Sequence, residues 1–89
     1  MPIRFTKHAL EKFGVLKSYG VSVSRTQIAH IIRTPDIVDY RRLPLYIAQG
    51  EFDKRRVLRV VYKRKQKGAT IVVITFYPGL KSHYEKDNT

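Results

Sequence analysis

The spacing of apolar residues changes from a helical to a strand period near the middle of the chain. In the first segment these residues recur at helical intervals: Ala9, Leu10, Phe13 and Leu16. This stripe predicts a helix over residues 7–17. Thr6 is suited to cap its start, because a threonine hydroxyl can accept a first-turn backbone N–H. Gly20 follows the last periodic residue, where helices commonly end.

A second helix is marked by its end signals. Ser24 and Gln27 have the spacing of a capping box, in which each side chain bonds the other residue's backbone N–H. The apolar face that follows consists of Ile28, Ile31 and Ile32. The helix should stop at Thr34-Pro35, because proline disfavours helical backbone in the residue before it.

After this point the pattern is typical of strands. Three β-rich segments, 45–49, 56–65 and 70–77, are separated by turn residues, and Pro78-Gly79 should end the third. Helices followed by a strand meander indicate an α+β fold. We expect two N-terminal helices packed on one face of a small, mainly antiparallel sheet.

Period-two alternation divides the central strand into two faces. Leu58 and Val60 should lie under the helices, which leaves Arg59 and Lys63 on the open face. The third strand has two possible rows, and either could face the helices. One row is Val72, Ile74 and Phe76, and the other is Ile71, Val73, Thr75 and Tyr77.

Composition fits one small globular domain. The chain has 89 residues, of which 43% are hydrophobic, and we expect a single domain over 1–84 with a flexible tail at 85–89. There is no cysteine, no apolar run long enough to span a membrane and no signal-peptide pattern. We therefore expect a cytoplasmic protein.

Charge points to a polyanionic partner. The formal net charge is +11, and residues 54–84 contain nine Lys or Arg and no acid. Such one-signed charge favours nucleic acid, although an acidic protein or an anionic membrane surface would also be attracted. The predicted nucleic-acid-binding residues are Arg55, Arg56, Arg59, Lys63, Lys65 and Lys81.

Five short motifs carry a resemblance to a known family. They are Phe5-Thr6-Lys7-His8-Ala9-Leu10-Glu11-Lys12-Phe13, Tyr19-Gly20-Val21-Ser22, Ile28-Ala29-His30-Ile31-Ile32, Val57-Leu58-Arg59-Val60-Val61-Tyr62 and Ile71-Val72-Val73-Ile74-Thr75-Phe76-Tyr77-Pro78. In this order they resemble a family of small, largely uncharacterised microbial domains that open with a His-Ala-Leu helix. That family is similar in fold order to the RelE/BrnT-type toxins of toxin–antitoxin pairs.

The resemblance implies a sheet face that binds RNA, metal-independent RNA cleavage, and inhibition by an acidic antitoxin-like protein; some relatives act on gyrase instead. Cleavage of this kind needs a base, cations for the charged phosphorane and an acid. Our catalytic candidates are His8, Arg59, His83 and Tyr84, and we expect neither a metal nor a cofactor.

Each candidate also has a structural interpretation. His8 could be a hydrogen-bonding residue at a helix start, and Arg59 could lie on an exposed face or pair with Asp39, Glu51 or Asp53. The segment 81–84 could be a disordered tail, and His30 is expected to be a surface histidine. A non-catalytic nucleic-acid-binding module and a domain that docks an acidic protein therefore remain alternatives to the ribonuclease.

Overall fold

The computed structural model describes residues 2–84 and confirms the α+β class. Two helices precede most of a five-stranded sheet, and a short helix follows it. In chain order the elements are β1 (Ile3–Phe5), α1 (Lys7–Ser18), α2 (Arg25–Arg33), β2 (Ile37–Asp39), β3 (Tyr46–Glu51), β4 (Arg56–Lys65), β5 (Thr70–Leu80) and α3 (Lys81–Tyr84). The tail predicted over 85–89 lies outside the described residues.

The sheet is mainly antiparallel, as predicted, with strand order β1-β5-β4-β3-β2. Only β1 runs parallel to its neighbour, pairing Ile3–Phe5 with residues 71–73 of β5. The sequence patterns did not predict β2 or α3 as elements. The prediction that Pro78-Gly79 ends the third strand was wrong, because β5 continues to Leu80. Pro78 lies beyond the reach of β1, where β5 is an edge strand and proline is tolerated.

Both helix starts follow their local signals. The Thr6 hydroxyl accepts the backbone N–H of Ala9 at 3.1 Å. Ser24 and Gln27 form the full capping box, with bonds of 2.8 and 3.1 Å. These caps satisfy first-turn N–H groups that a helix cannot pair internally. Neither of these helices, nor the short α3, has the length and apolarity needed to cross a membrane.

The main core lies between the helices and one face of the sheet. Its buried members include Ala9, Ile28, Ile31, Ile32, Ala48, Leu58, Val60, Tyr62, Ile71, Val73 and Phe76. The prediction that Leu58 and Val60 face the helices is therefore confirmed. On β5 neither predicted row supplies the core alone. A register shift between Val61 and Tyr62 breaks the alternation, so Ile71 and Val73 share the buried face with Phe76.

Candidate nucleic-acid interface

Arg59 occupies the centre of the open face, opposite the helices. The pairing register sets Tyr77, Arg59, Gln49 and Ile37 side by side across β5, β4, β3 and β2. Directly paired residues of antiparallel strands share a face, so this row crosses the open side of the sheet. Arg59 is nevertheless only 6% exposed. Its guanidinium is therefore buried by neighbouring side chains rather than spread on the surface.

The Arg59 guanidinium is held by three side chains. Its Nη1 donates to Gln49 Oε1 at 2.6 Å, and its Nε donates to the Tyr77 hydroxyl at 3.1 Å. Its Nη2 lies 3.3 Å from Asp39 Oδ2 and forms an ion pair with it. Of the acids considered from the sequence, Asp39 is thus the one that pairs with Arg59. A buried arginine requires such partners, because an unpaired buried charge is costly.

Gln49 presents a donor that its neighbours do not use. The residue is 2% exposed, and its Oε1 accepts from Arg59. The bond to Arg59 fixes which end of the amide is the oxygen, because a guanidinium can only donate. The other end of the amide is therefore Nε2, and this nitrogen has no hydrogen-bond partner within residues 2–84. Buried polar groups are rarely left in this state.

Asp39 links the buried guanidinium to an exposed one. Arg41 donates to it through its backbone N–H at 2.9 Å, through Nε at 3.0 Å and through Nη2 at 2.7 Å. These bonds, chiefly those of the Arg41 side chain, hold the pKa of Asp39 far below its usual range. The carboxylate therefore stays ionised and offsets one of the two guanidiniums. The Arg41 side chain is 86% exposed, so its outer side can meet a ligand.

The helix α3 folds back over this network. The Tyr84 ring lies over Arg59, with the guanidinium carbon 4.4 Å from the ring centre, at a distance typical of cation–π contact. Gly79 permits this approach, because a Cβ there would collide with the Tyr84 ring. Lys81 anchors the start of α3, donating its N–H to the Arg55 carbonyl at 2.8 Å. The segment 81–84, for which a disordered tail was the structural interpretation, forms the helix α3 and contacts β4 and β5.

These elements enclose an open cavity of about 710 Å³, which we call the Arg59 cleft. It is lined by Ile37, Val38, Asp39, Tyr40, Arg41, Gln49, Arg59, His83 and Tyr84. Three of the four predicted catalytic residues, Arg59, His83 and Tyr84, thus line one cleft. The strand register and the return of α3 bring them together, although 24 positions separate Arg59 from His83.

His8 is not part of this cluster. It is an exposed residue of α1, and α1 packs against the sheet face opposite Arg59 through Ala9 and Phe13. The sheet therefore separates Arg59 from the helix that carries His8. His30 is exposed on α2, as expected. The Thr6 hydroxyl rather than the His8 side chain caps α1.

The predicted binding cations are distributed over several surfaces. Lys63 is half-buried on the open face, and Lys65 is exposed at the end of β4. Arg55 is exposed beside the β3–β4 turn. Arg56 pairs with Asp53 at 2.7 Å, and Lys81 lies 3.5 Å from Glu51. These carboxylates partly neutralise Arg56 and Lys81. Arg55, Lys63 and Lys65 are therefore better suited to contact phosphate.

Sequence reasoning missed Gln49 and Arg41 as members of the site. Gln49 ends an apolar run and resembles a strand-end residue, and Arg41 lies between the second predicted helix and the first predicted strand. The two-residue spacing of Asp39 and Arg41 was the available signal, because a carboxylate commonly accepts the backbone N–H two residues later. Among residues 2–84, no three His, Asp or Glu side chains are grouped to ligate a metal ion.

Comparison with known proteins adds no relative to this description. No family model matches the chain, and no curated protein or solved structure matches it either.

Proposed function

We propose that this domain binds single-stranded RNA across the open face of its sheet and cuts it at the Arg59 cleft without a metal ion. The observation that carries the proposal is the convergence of Arg59, His83 and Tyr84 in one cationic cleft. The resemblance to RelE/BrnT-type toxins agrees with this proposal. We also propose a cytoplasmic location.

Binding would combine exposed charge with exposed rings. Arg41 offers a guanidinium at the mouth of the cleft, and Lys63 extends the cationic surface along β4. Tyr40 and Tyr84 line the same cleft with partly exposed rings. Phosphate contacts supply affinity and stacking on aromatic rings suits unpaired bases. This combination favours a single strand over a duplex, whose bases are already stacked.

Cleavage would use the histidine of α3. The 2′-oxygen of the substrate attacks the adjacent phosphorus, the bond from phosphorus to the 5′-oxygen breaks, and a 2′,3′-cyclic phosphate forms. In our proposal His83 takes the proton of the 2′-hydroxyl, and the Tyr84 hydroxyl protonates the leaving oxygen. An imidazole titrates near neutral pH and is the side chain best suited to this role. Arg41, whose side chain is exposed, would contact and stabilise the extra negative charge of the phosphorane. Arg59 is buried and would contribute through its positive charge rather than by contact.

Binding is tested with a fluorescent single-stranded oligoribonucleotide at several salt concentrations. We expect Arg41→Ala to weaken binding by about tenfold and to reduce the salt dependence, because one phosphate contact is lost. Arg42→Ala is the matched control, since Arg42 is an exposed neighbour that does not line the cleft. Equal losses in both variants, or affinity that is independent of salt, would contradict RNA binding at this site.

Cleavage is tested on the same oligoribonucleotide in the presence of a chelator, with products examined for cyclic phosphate. We expect His83→Ala to lower the rate by about 100-fold or more, and His30→Ala, which changes an exposed histidine of α2, to leave it unchanged. Retained activity in His83→Ala removes this residue, and His8→Ala then tests the remaining histidine candidate. If the wild-type protein binds RNA but does not cut it, the domain is a non-catalytic nucleic-acid-binding module.

A further inference from the structure

A second surface, remote from the Arg59 cleft, has the composition of a docking site. Two cavities of about 230 and 470 Å³ adjoin each other and share Ile3 and Arg33. We call the combined depression the α2–β1 groove. Its floor is apolar, with Ile3, Phe5, Ile32 and Ile71 contributing to it. Because Ile3 and Phe5 pack on the main core, the groove opens on the helix-covered side of the sheet.

The rim of the groove is cationic. Arg25 and Arg33 of α2 are exposed and line it, and Arg64 lines the smaller of the two cavities. No Asp or Glu is found among the described residues that line either cavity. Arg25 also lies over the Phe5 ring, 5.4 Å from its centre. A ligand that fills the groove therefore meets apolar surface in the middle and positive charge around it.

The adjacent sheet edge can bind a backbone. β1 is the last strand on its side of the sheet. The Pro2 carbonyl and the Thr6 N–H bond to β5, so the two-residue alternation of a strand turns the backbone groups of Ile3 and Phe5 outward. An extended segment can add to such an edge through main-chain hydrogen bonds, while pockets select alternate side chains.

We propose that the α2–β1 groove binds an extended acidic segment of another protein, with apolar side chains on the groove floor and carboxylates against Arg25 and Arg33. A second copy of this chain is disfavoured, because each copy carries a formal charge of +11. RNA is disfavoured at this surface, because three of the four floor side chains are aliphatic and the ring of the fourth, Phe5, is already covered by Arg25. The inference does not depend on the RNA proposal, since it concerns the opposite side of the sheet.

The test uses a short soluble peptide in which glutamate alternates with leucine, added to the ¹⁵N-labelled protein. We expect amide chemical-shift changes along β1 and α2, and none around Arg59 and His83. Two control peptides, with serine replacing leucine or glutamine replacing glutamate, should each bind at least about tenfold more weakly. A peptide that causes no shift changes, or causes them at the Arg59 cleft, would overturn the proposal.

Charge-reversal variants separate this groove from general electrostatic attraction. Arg25→Glu combined with Arg33→Glu should weaken peptide binding by about tenfold or more. Lys17→Glu combined with Lys54→Glu is the matched control, because both residues are exposed cations outside the groove and the change in net charge is the same. Equal weakening by the control would reduce the effect to net charge and refute the site. Shifts along β1 and α2 on adding an unlabelled oligoribonucleotide would assign the groove to nucleic acid instead.

Discussion

Substitution of Arg59 by methionine should destabilise the fold strongly, because it removes a buried guanidinium that donates hydrogen bonds to three side chains. The change leaves Gln49 Oε1 buried without its donor, which costs about 1–3 kcal/mol. Loss of the bond to the Tyr77 hydroxyl costs about 1 kcal/mol more. Asp39 loses little, because Arg41 still neutralises it. We therefore expect a loss of about 3 kcal/mol in the free energy of unfolding.

Thermal and urea unfolding monitored by circular dichroism measure this loss. For a domain of this size, about 3 kcal/mol lowers Tm by about 12–24 °C. Arg42→Met, at an exposed position, should change stability by no more than about 0.5 kcal/mol. In Arg59→Met combined with Gln49→Met, the loss should be smaller than the sum of the single losses by about 1 kcal/mol, because both partners of one bond are gone. A Tm for Arg59→Met within about 3 °C of the wild type would refute the network as a source of stability.

Three further substitutions test the packing and the charge of the molecule. Gly50→Ala should lower the free energy of unfolding by about 1–3 kcal/mol, because its new Cβ would lie 2.8 Å from Cγ1 of the buried Ile31. Gly14→Ala should raise the free energy of unfolding by up to about 1 kcal/mol, because Gly14 is an exposed helix residue with open space around it. Urea midpoints that shift in the same direction for both glycines would contradict this packing. The lowered pKa of Asp39 contributes stability that is present above its unfolded pKa of about 4 and is lost as the pH falls below it. Asp39→Asn should therefore be less stable at neutral pH and lose less stability on acidification, and an unchanged pH profile of the urea midpoint would contradict the ion pairs.

Local signals in the sequence determined most of the secondary structure. Thr6 and the Ser24–Gln27 pair predicted both helix starts, because a cap is a contact between residues three positions apart and needs no tertiary partner. The strand over 56–65 has the predicted bounds, and its alternation correctly assigned Leu58 and Val60 to the core. These features depend on chain geometry within a few residues.

Local sequence patterns did not predict the bulge in β5 or the short elements β2 and α3. The β5 bulge combines members of two sequence rows in one core face, because an extra residue reverses the side-chain alternation beyond it. The edge strand β2, only three residues long, forms through pairing with β3 rather than through a pattern of its own. The helix α3 is four residues long and depends on its contact with the strands beneath it.

The candidate site was determined by the sequence only in part. The basic strand and its interior Arg59 were visible as a pattern, and they indicated an open cationic face. The partners of Arg59 depend on the strand order, since Gln49, Tyr77 and Asp39 lie 10, 18 and 20 positions away along the chain. The return of α3 brought in His83 and Tyr84, whereas His8 remained with the helix on the other side of the sheet. Strand register and the packing of the helices on the sheet determine which side chains meet. Both depend on contacts between distant parts of the chain and are fixed only in the complete tertiary structure.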